Sequence, residues 1–266
     1  MGFPEGWTGM SPPALFALIA ALLGAAVGSF LNVCISRIPE GLSIVFPASR
    51  CPRCGHPIRF YDNIPGVSYL VLRGRCRDCR EKIPLRYPLI ELLTAGFAWG
   101  LFGKYGLTPA FPAVFLFVCA LIVITFIDID HQIIPHVITL VGIPLFALLA
   151  VLFTGLTVID AFLGIMIGAG VLYFVAVYYE ALTGREGMGG GDVNLLAMLG
   201  AFLGWKSLLF ILLVGSLLGA AAGVAIILIQ GKNMRHPIPF GPFLCAAAVL
   251  YLFFGDWWTG LLFRVP

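Results

Sequence analysis

Charge is what this sequence has least of. Only 11% of its 266 residues are Asp, Glu, Lys or Arg, where a soluble domain carries about 25%. With 60% hydrophobic residues, that shortage excludes an ordinary water-soluble enzyme and describes a polytopic membrane protein. Residues 1–12 contain Glu5 and no Lys or Arg, so the first apolar run lacks the basic start of a cleaved signal peptide. No Gly-rich fingerprint of the Rossmann type follows a strand-like segment. A net charge of +3 gives little reason to look for nucleic acid, and no such partner is expected.

What is present is a series of long apolar runs. A helix needs about 20 apolar residues to cross a hydrocarbon core about 30 Å thick. The runs 12–36, 88–103, 109–127, 137–155, 158–180, 192–204, 207–230 and 239–255 predict an all-α fold of about eight transmembrane helices in contact with lipid. The boundary between the sixth and seventh falls at Gly204-Trp205-Lys206. Three regions follow: a first transmembrane helix at 1–37, a soluble insert at 38–87, and a transmembrane body at 88–266.

The few basic residues orient these helices. Loops rich in Lys and Arg stay in the cytoplasm. Ten of the sixteen basic residues lie from Arg37 to Arg86, which puts the insert inside and the N-terminus outside. Alternation then places Arg185, Lys232 and Arg235 inside and Lys104, Lys206 and Arg264 outside, thirteen against three. Asp128 and Asp192 both fall at the cytoplasmic face.

The insert carries Cys51-Pro-Arg-Cys54 and Cys76-Arg-Asp-Cys79. Two such knuckles about twenty residues apart suit tetrahedral zinc, because each presents two thiolates to one ion. Four thiolates leave no open coordination position, so the zinc is expected to be structural. Two disulfides are the alternative, disfavoured by a reducing cytoplasm. His56 is a spare ligand or a surface residue. Cys34, Cys119 and Cys245 lie in or beside apolar runs and receive no role.

The acids in apolar surroundings carry the chemistry. An ionised side chain at bilayer depth costs roughly 2.5–3.5 kcal/mol on insertion scales, so such residues are functional candidates. In Asp128-Ile129-Asp130-His131-Gln132-Ile133-Ile134-Pro135 the two carboxylates point in different directions on a helix, and the deeper Asp128 is favoured as the inward one. A hydrated helix terminus would explain the pair without chemistry. Gly189-Gly190-Gly191-Asp192 precedes another apolar stretch. Asp192 could simply cap a helix, and the glycines could form a hinge. Alternatively, the glycines let an extended substrate backbone approach closely. Asp160 suits a cap on the outer side, Glu180 a hydrated entrance, and Glu91 a polar site shared with the insert.

These residues together resemble the type IV prepilin peptidase family. Gly28-Ser29-Phe30-Leu31-Asn32-Val33 resembles its opening signature. Ser49 to Cys54, Tyr61-Asp62-Asn63-Ile64-Pro65, Arg73 to Cys76 and Arg86 to Leu93 resemble its cytoplasmic domain. Asp128 to Pro135 and Gly189-Gly190-Gly191-Asp192 resemble its two aspartate motifs, the second of the G-x-G-D type. The resemblance implies that Asp128 and Asp192 are the catalytic pair of an aspartyl endopeptidase in the bacterial inner membrane. Asp130 and Gly189 to Gly191 would support substrate binding or catalysis. Its substrates would be type IV prepilins or type II secretion pseudopilins, whose basic leader is removed at the cytoplasmic face. The new N-terminus would then be methylated from S-adenosylmethionine, with Arg86 and Glu91 as candidate cofactor contacts. One departure is His136, where the family pattern has Asp or Asn after the Pro.

Three alternative readings stay open on the residues alone. A peptidase without methyl transfer keeps both aspartates and dispenses with the cofactor. A transporter would use the same acids for protons or cations, but the outward halves of the runs offer few polar side chains. A non-catalytic assembly subunit would keep only the metal-binding insert as a docking module. Which pilin is processed, and the oligomeric state, are not encoded in any motif.

Overall fold

The computed structural model describes residues 14–184, 189–230 and 239–262. Among these the regular structure is helical apart from two isolated antiparallel bridges. The helices are α1 (Ala14–Arg37), α2 (Val67–Val71), α3 (Arg86–Tyr105), α4 (Ala110–His131), α5 (His136–Phe153), α6 (Val158–Thr183), α7 (Gly190–Leu203), α8 (Trp205–Gln230) and α9 (Gly241–Leu262). Apart from the single turn of α2, these are the eight expected helices. Arg185, Lys232, Arg235 and Arg264, used above for orientation, lie outside the described residues, as does Glu5.

Six of the helices, α1, α4, α5, α6, α8 and α9, are long and apolar enough to cross a membrane. The other two long helices differ for separate reasons. Helix α3 begins with Arg86, includes Glu91 and ends near Lys104. Helix α7 has 14 residues, a length of about 21 Å at 1.5 Å per residue. Helix ends also move: α4 continues through Asp128 to His131 and stops where Gln132 turns left-handed at φ 55°. Pro135 then caps α5.

The chain divides into two compact units, with the boundary between Val123 and Ile124. In the first, α1 packs along α3. A Cβ on Gly24 would stand 2.6 Å from that of Ala98, and one on Gly28 would stand 2.8 Å from the Glu91 Cα. Small residues one turn apart thus let the two backbones meet. Asn32, one turn further, donates from Nδ2 to the carbonyls of Gly28 and Tyr87, each at 3.2 Å. That bond satisfies a buried amide and fixes the register of α1 on α3.

In the second unit, α7 is the core. Every residue from Leu195 to Leu203 is buried, with α5, α6, α8 and α9 packed around it. Gly164 of α6 meets Gly200 of α7 backbone to backbone, and a Cβ on Gly168 would stand 2.6 Å from the Leu196 carbonyl. Phe146 of α5 lies edge-on to Phe202, ring centres 5.8 Å apart. The far end of α7 turns at Gly204 (φ 78°) straight into α8.

Asp160 does not itself cap α6. Thr157 does, accepting from the Asp160 N–H at 3.0 Å, while Thr157 Oγ1 donates to the Asp160 carboxylate at 2.8 Å. The two side chains close the first turn of α6, and Trp205 Nε1 adds a 3.0 Å bond to the same carboxylate.

Candidate active site and metal centre

The insert folds as two knuckles of the same design. In the first, Cys51 N–H donates to His56 O at 2.9 Å and Gly55 N–H to Cys51 O at 2.9 Å; in the second, Cys76 N–H donates to Glu81 O at 2.8 Å and Arg80 N–H to Cys76 O at 3.1 Å. Each is closed by one bridge, Arg50 to Pro57 and Arg75 to Lys82. The residue after each second cysteine is left-handed, Gly55 at φ 71° and Arg80 at φ 61°. That turn aims both thiols of a knuckle the same way.

The four sulfurs of Cys51, Cys54, Cys76 and Cys79 lie within 4.8 Å of one another. Cys51 and Cys79 are 3.8 Å apart. Four Zn–S bonds of about 2.3 Å in a tetrahedron place their sulfurs about 3.8 Å apart, so the cluster has the dimensions of a closed metal site. A disulfide needs about 2.05 Å. The Cys54 backbone N–H is the main influence lowering the Cys51 thiol to about 7, whereas the Cys54 and Cys79 thiols are raised, by desolvation and by the neighbouring thiols. Beside the cluster, Arg77 Nε donates to Asp62 at 2.8 Å. This guanidinium holds the Asp62 carboxyl below its usual range.

In the second unit, the loop from α4 to α5, the start of α7 and the start of α9 converge. Asp128, one turn before the end of α4, is 5% exposed, whereas Asp130 is exposed. The helix thus separates the two carboxylates. A Cβ on Gly241 would stand 2.5 Å from Asp128 Oδ2 and 3.1 Å from Ile134 Cδ1. The Gly241 backbone N–H is directed at the same carboxylate. On the other side of Ile134, a Cβ on Gly191 would stand 2.9 Å from the Ile134 Cβ. Ile134 therefore touches both glycines, one beside each aspartate. The carboxylates of Asp128 and Asp192 are close enough to interact electrostatically.

Asp192 is not the cap of α7. Gly189 occupies that position and Asp192 lies in the first turn, its N–H bonded to Gly189 O at 3.2 Å. The three glycines also separate in role. Gly191 is held against Ile134, while a Cβ on Gly190 would meet nothing within 4 Å among the described residues. A close helix contact and open space thus stand side by side. His136, the departure from the family pattern, pairs through Nδ1 with Asn194 Nδ2 at 3.1 Å, tying the start of α5 to the first turns of α7.

Sequence reasoning passed over Gly241. It lies 49 positions beyond Asp192 and belongs to no aspartate motif, although Pro239-Phe240-Gly241-Pro242 at a helix start was a signal of special backbone. It also passed over Cys245, one turn along α9. That residue is buried and hydrogen-bonds Thr125, one turn before Asp128. Glu91 accepts from the Gly66 N–H at 2.8 Å and joins α3 to the insert. Arg86 stands in the first turn of the same helix.

Comparison with known proteins also divides the chain in two, but between residues 105 and 115 rather than at Val123. Residues 22–105 match the Bacterial Peptidase A24 N-terminal domain and residues 115–224 match the Type IV leader peptidase family. A prepilin leader peptidase/N-methyltransferase of Pseudomonas aeruginosa is 40% identical over 92% of this chain and 93% of its own length. One from Aeromonas salmonicida is 40% identical over 92% of each. One from Myxococcus xanthus is 44% identical over 82% of this chain and 65% of its own. No solved structure matches. The chain belongs to the type IV leader peptidase family.

Proposed function

We propose that this protein removes the leader from prepilins or pseudopilins with Asp128 and Asp192, and methylates the N-terminus it exposes. The observation that carries the first half is the pairing of a buried Asp128 with Asp192 across Ile134 and two tightly packed glycines. Two carboxylates sharing a site do not comfortably ionise together, so one takes a proton while the other supplies one. Gly241 already directs an N–H at Asp128, and we assign Asp128 to accept the proton of the attacking water. Asp192 then donates to the scissile carbonyl. The open space at Gly190 suits an extended substrate backbone drawn alongside the start of α7.

The second half rests on the relatives, whose names pair leader peptidase with N-methyltransferase. S-adenosylmethionine is the donor that this activity implies, and it supplies an electrophilic methyl group. The four cysteines are assigned a structural zinc ion. Thirteen basic residues against three support a protein of the bacterial inner membrane with the N-terminus outside and the insert and aspartates at the cytoplasmic face.

The test is leader cleavage in reconstituted membranes by Asp128→Asn and Asp192→Asn variants. Each is expected to lose cleavage, and full processing by either would exclude the two-aspartate mechanism. Transfer of labelled methyl to cleaved pilin tests the second activity separately.

A further inference from the structure

The first unit contains a cavity of about 390 Å³ between α1, the start of α3 and the insert. That volume lies within the roughly 300–1,000 Å³ of small-molecule and cofactor sites. Its walls mix the two kinds of surface that such a ligand needs. Tyr69, Tyr87 and Ile64 offer flat and apolar faces, and Ser29, Asn63 and Glu91 offer polar atoms.

The polar atoms are arranged for something other than each other. Glu91 is steadied through one oxygen by the Gly66 N–H, while its other oxygen has no partner among the described residues. Asn63 accepts a long 3.5 Å bond from Ser29 at Oδ1, and its Nδ2 donors are likewise unengaged. By contrast, three of the basic groups in the wall are already taken. Arg77 holds Asp62, Arg37 donates to the carbonyls of Ser43 and Pro47, and Arg59 bonds the Tyr61 hydroxyl. Arg50, Lys82, Asp78 and Glu81 also line it, so the wall carries both signs of charge, with the Glu91 carboxylate and the Asn63 carboxamide beside aromatic rings.

We infer that this cavity is the S-adenosylmethionine site, with Glu91 and Asn63 as its polar contacts. The inference rests on the methyl-transfer half of the proposed function. A ligand with a sulfonium, an ammonium and a ribose diol needs carboxylate oxygen near its cations or hydroxyls, and a flat surface for its base. Glu91 supplies the first, as acidic side chains do for ribose in other nucleotide sites, and the tyrosines supply the second. An extended leader peptide is the other cationic candidate, but a compact cavity fits a compact donor better. Arg86 is not in the wall, which leaves Glu91 as the cofactor contact of the two considered from sequence.

The experiment uses the full-length, metal-loaded enzyme in detergent. Binding of S-adenosylhomocysteine is measured by calorimetry, and tritiated S-adenosylmethionine is photo-crosslinked and its adduct mapped. Saturable binding is expected, weakened at least about tenfold by Glu91→Gln, as loss of a charged hydrogen bond predicts. The adduct is expected between residues 29 and 91. Unchanged binding by a Glu91→Gln protein, or an adduct beyond residue 123, overturns the cavity. Adduct mapping on the wild type decides the matter even if the variant misfolds. Labelled methyl transfer with an adduct elsewhere would retain the donor and reject only this site. Absence of any donor binding, with leader cleavage intact in the same sample, would reject both.

Discussion

The insert and the dyad end of the second unit solve the same problem, holding side chains still, by opposite means. The insert has little apolar core, so its two knuckles are closed by backbone hydrogen bonds and four thiolates. A small domain of this kind needs such a staple. At the dyad end, Gly191 and Gly241 leave room for the side chains of Ile134 and Asp128, and the acids ride on helices packed around α7. One region offers its four cysteines to a ligand, and the other relies on the absence of side chains. Each should therefore fail in its own way.

The largest effect is expected from Asp192→Asn, which should lower leader cleavage by about 10²–10⁴-fold, the usual worth of a general acid or base. Metal content should stay at one ion per chain, as measured by elemental analysis. Loss of the metal as well would show that the two regions are not separable. Next comes Gly241→Ala. Its methyl would lie 2.5 Å from Asp128 Oδ2, and a displacement near 1 Å costs about 100-fold in rate. Wild-type kcat in this variant would mean that the contact is not needed for positioning.

Cys76→Ser attacks the other region. Bound metal should fall from one ion to none, and limited proteolysis should cut within 38–85 first. An insert that resists protease without metal would remove the contrast. His136→Ala should act more gently, lowering kcat a few-fold through loss of the Asn194 bond, about 1 kcal/mol. His136→Asn should restore part of it, since a carboxamide can still bond Asn194.

The smallest effect concerns pH. Arg77 lowers the folded-state pKa of Asp62, so the pair contributes its full stability above the unfolded value near 3.9. That contribution is lost as pH falls through the folded value. Arg77 is partly exposed, so solvent screens the pair and the amount should be small. Acid unfolding of Asp62→Asn, followed by metal release, should start from slightly lower stability and show a shallower pH dependence.

Much of this architecture was legible because it is written as spacing. Paired C-x2-C knuckles announce their cluster, and apolar runs announce eight helices. Asp128 could be preferred to Asp130 because two residues on a helix cannot share a face. What stayed hidden depends on approach in space. Gly241 looks like any helix-start glycine until Asp128 lies against it. Gly164 and Gly200 are unremarkable in the sequence, yet they set how α6 and α7 touch. The cap of α7 was missed for a related reason: Asp192 is a better capping residue than Gly189, but the helix starts early to bury Gly191 on Ile134.

The shortness of α7 has a consequence for water. A rod of about 21 Å is shorter than a hydrocarbon layer of about 30 Å. Its far end is fastened to a tryptophan and an acid, Trp205 and Asp160, groups that favour the membrane–water boundary. If that end marks one boundary, Asp192 stands about a third of the thickness short of the other. Water must then reach Asp192 from that side, where a Cβ on Gly190 would meet nothing within 4 Å among the described residues.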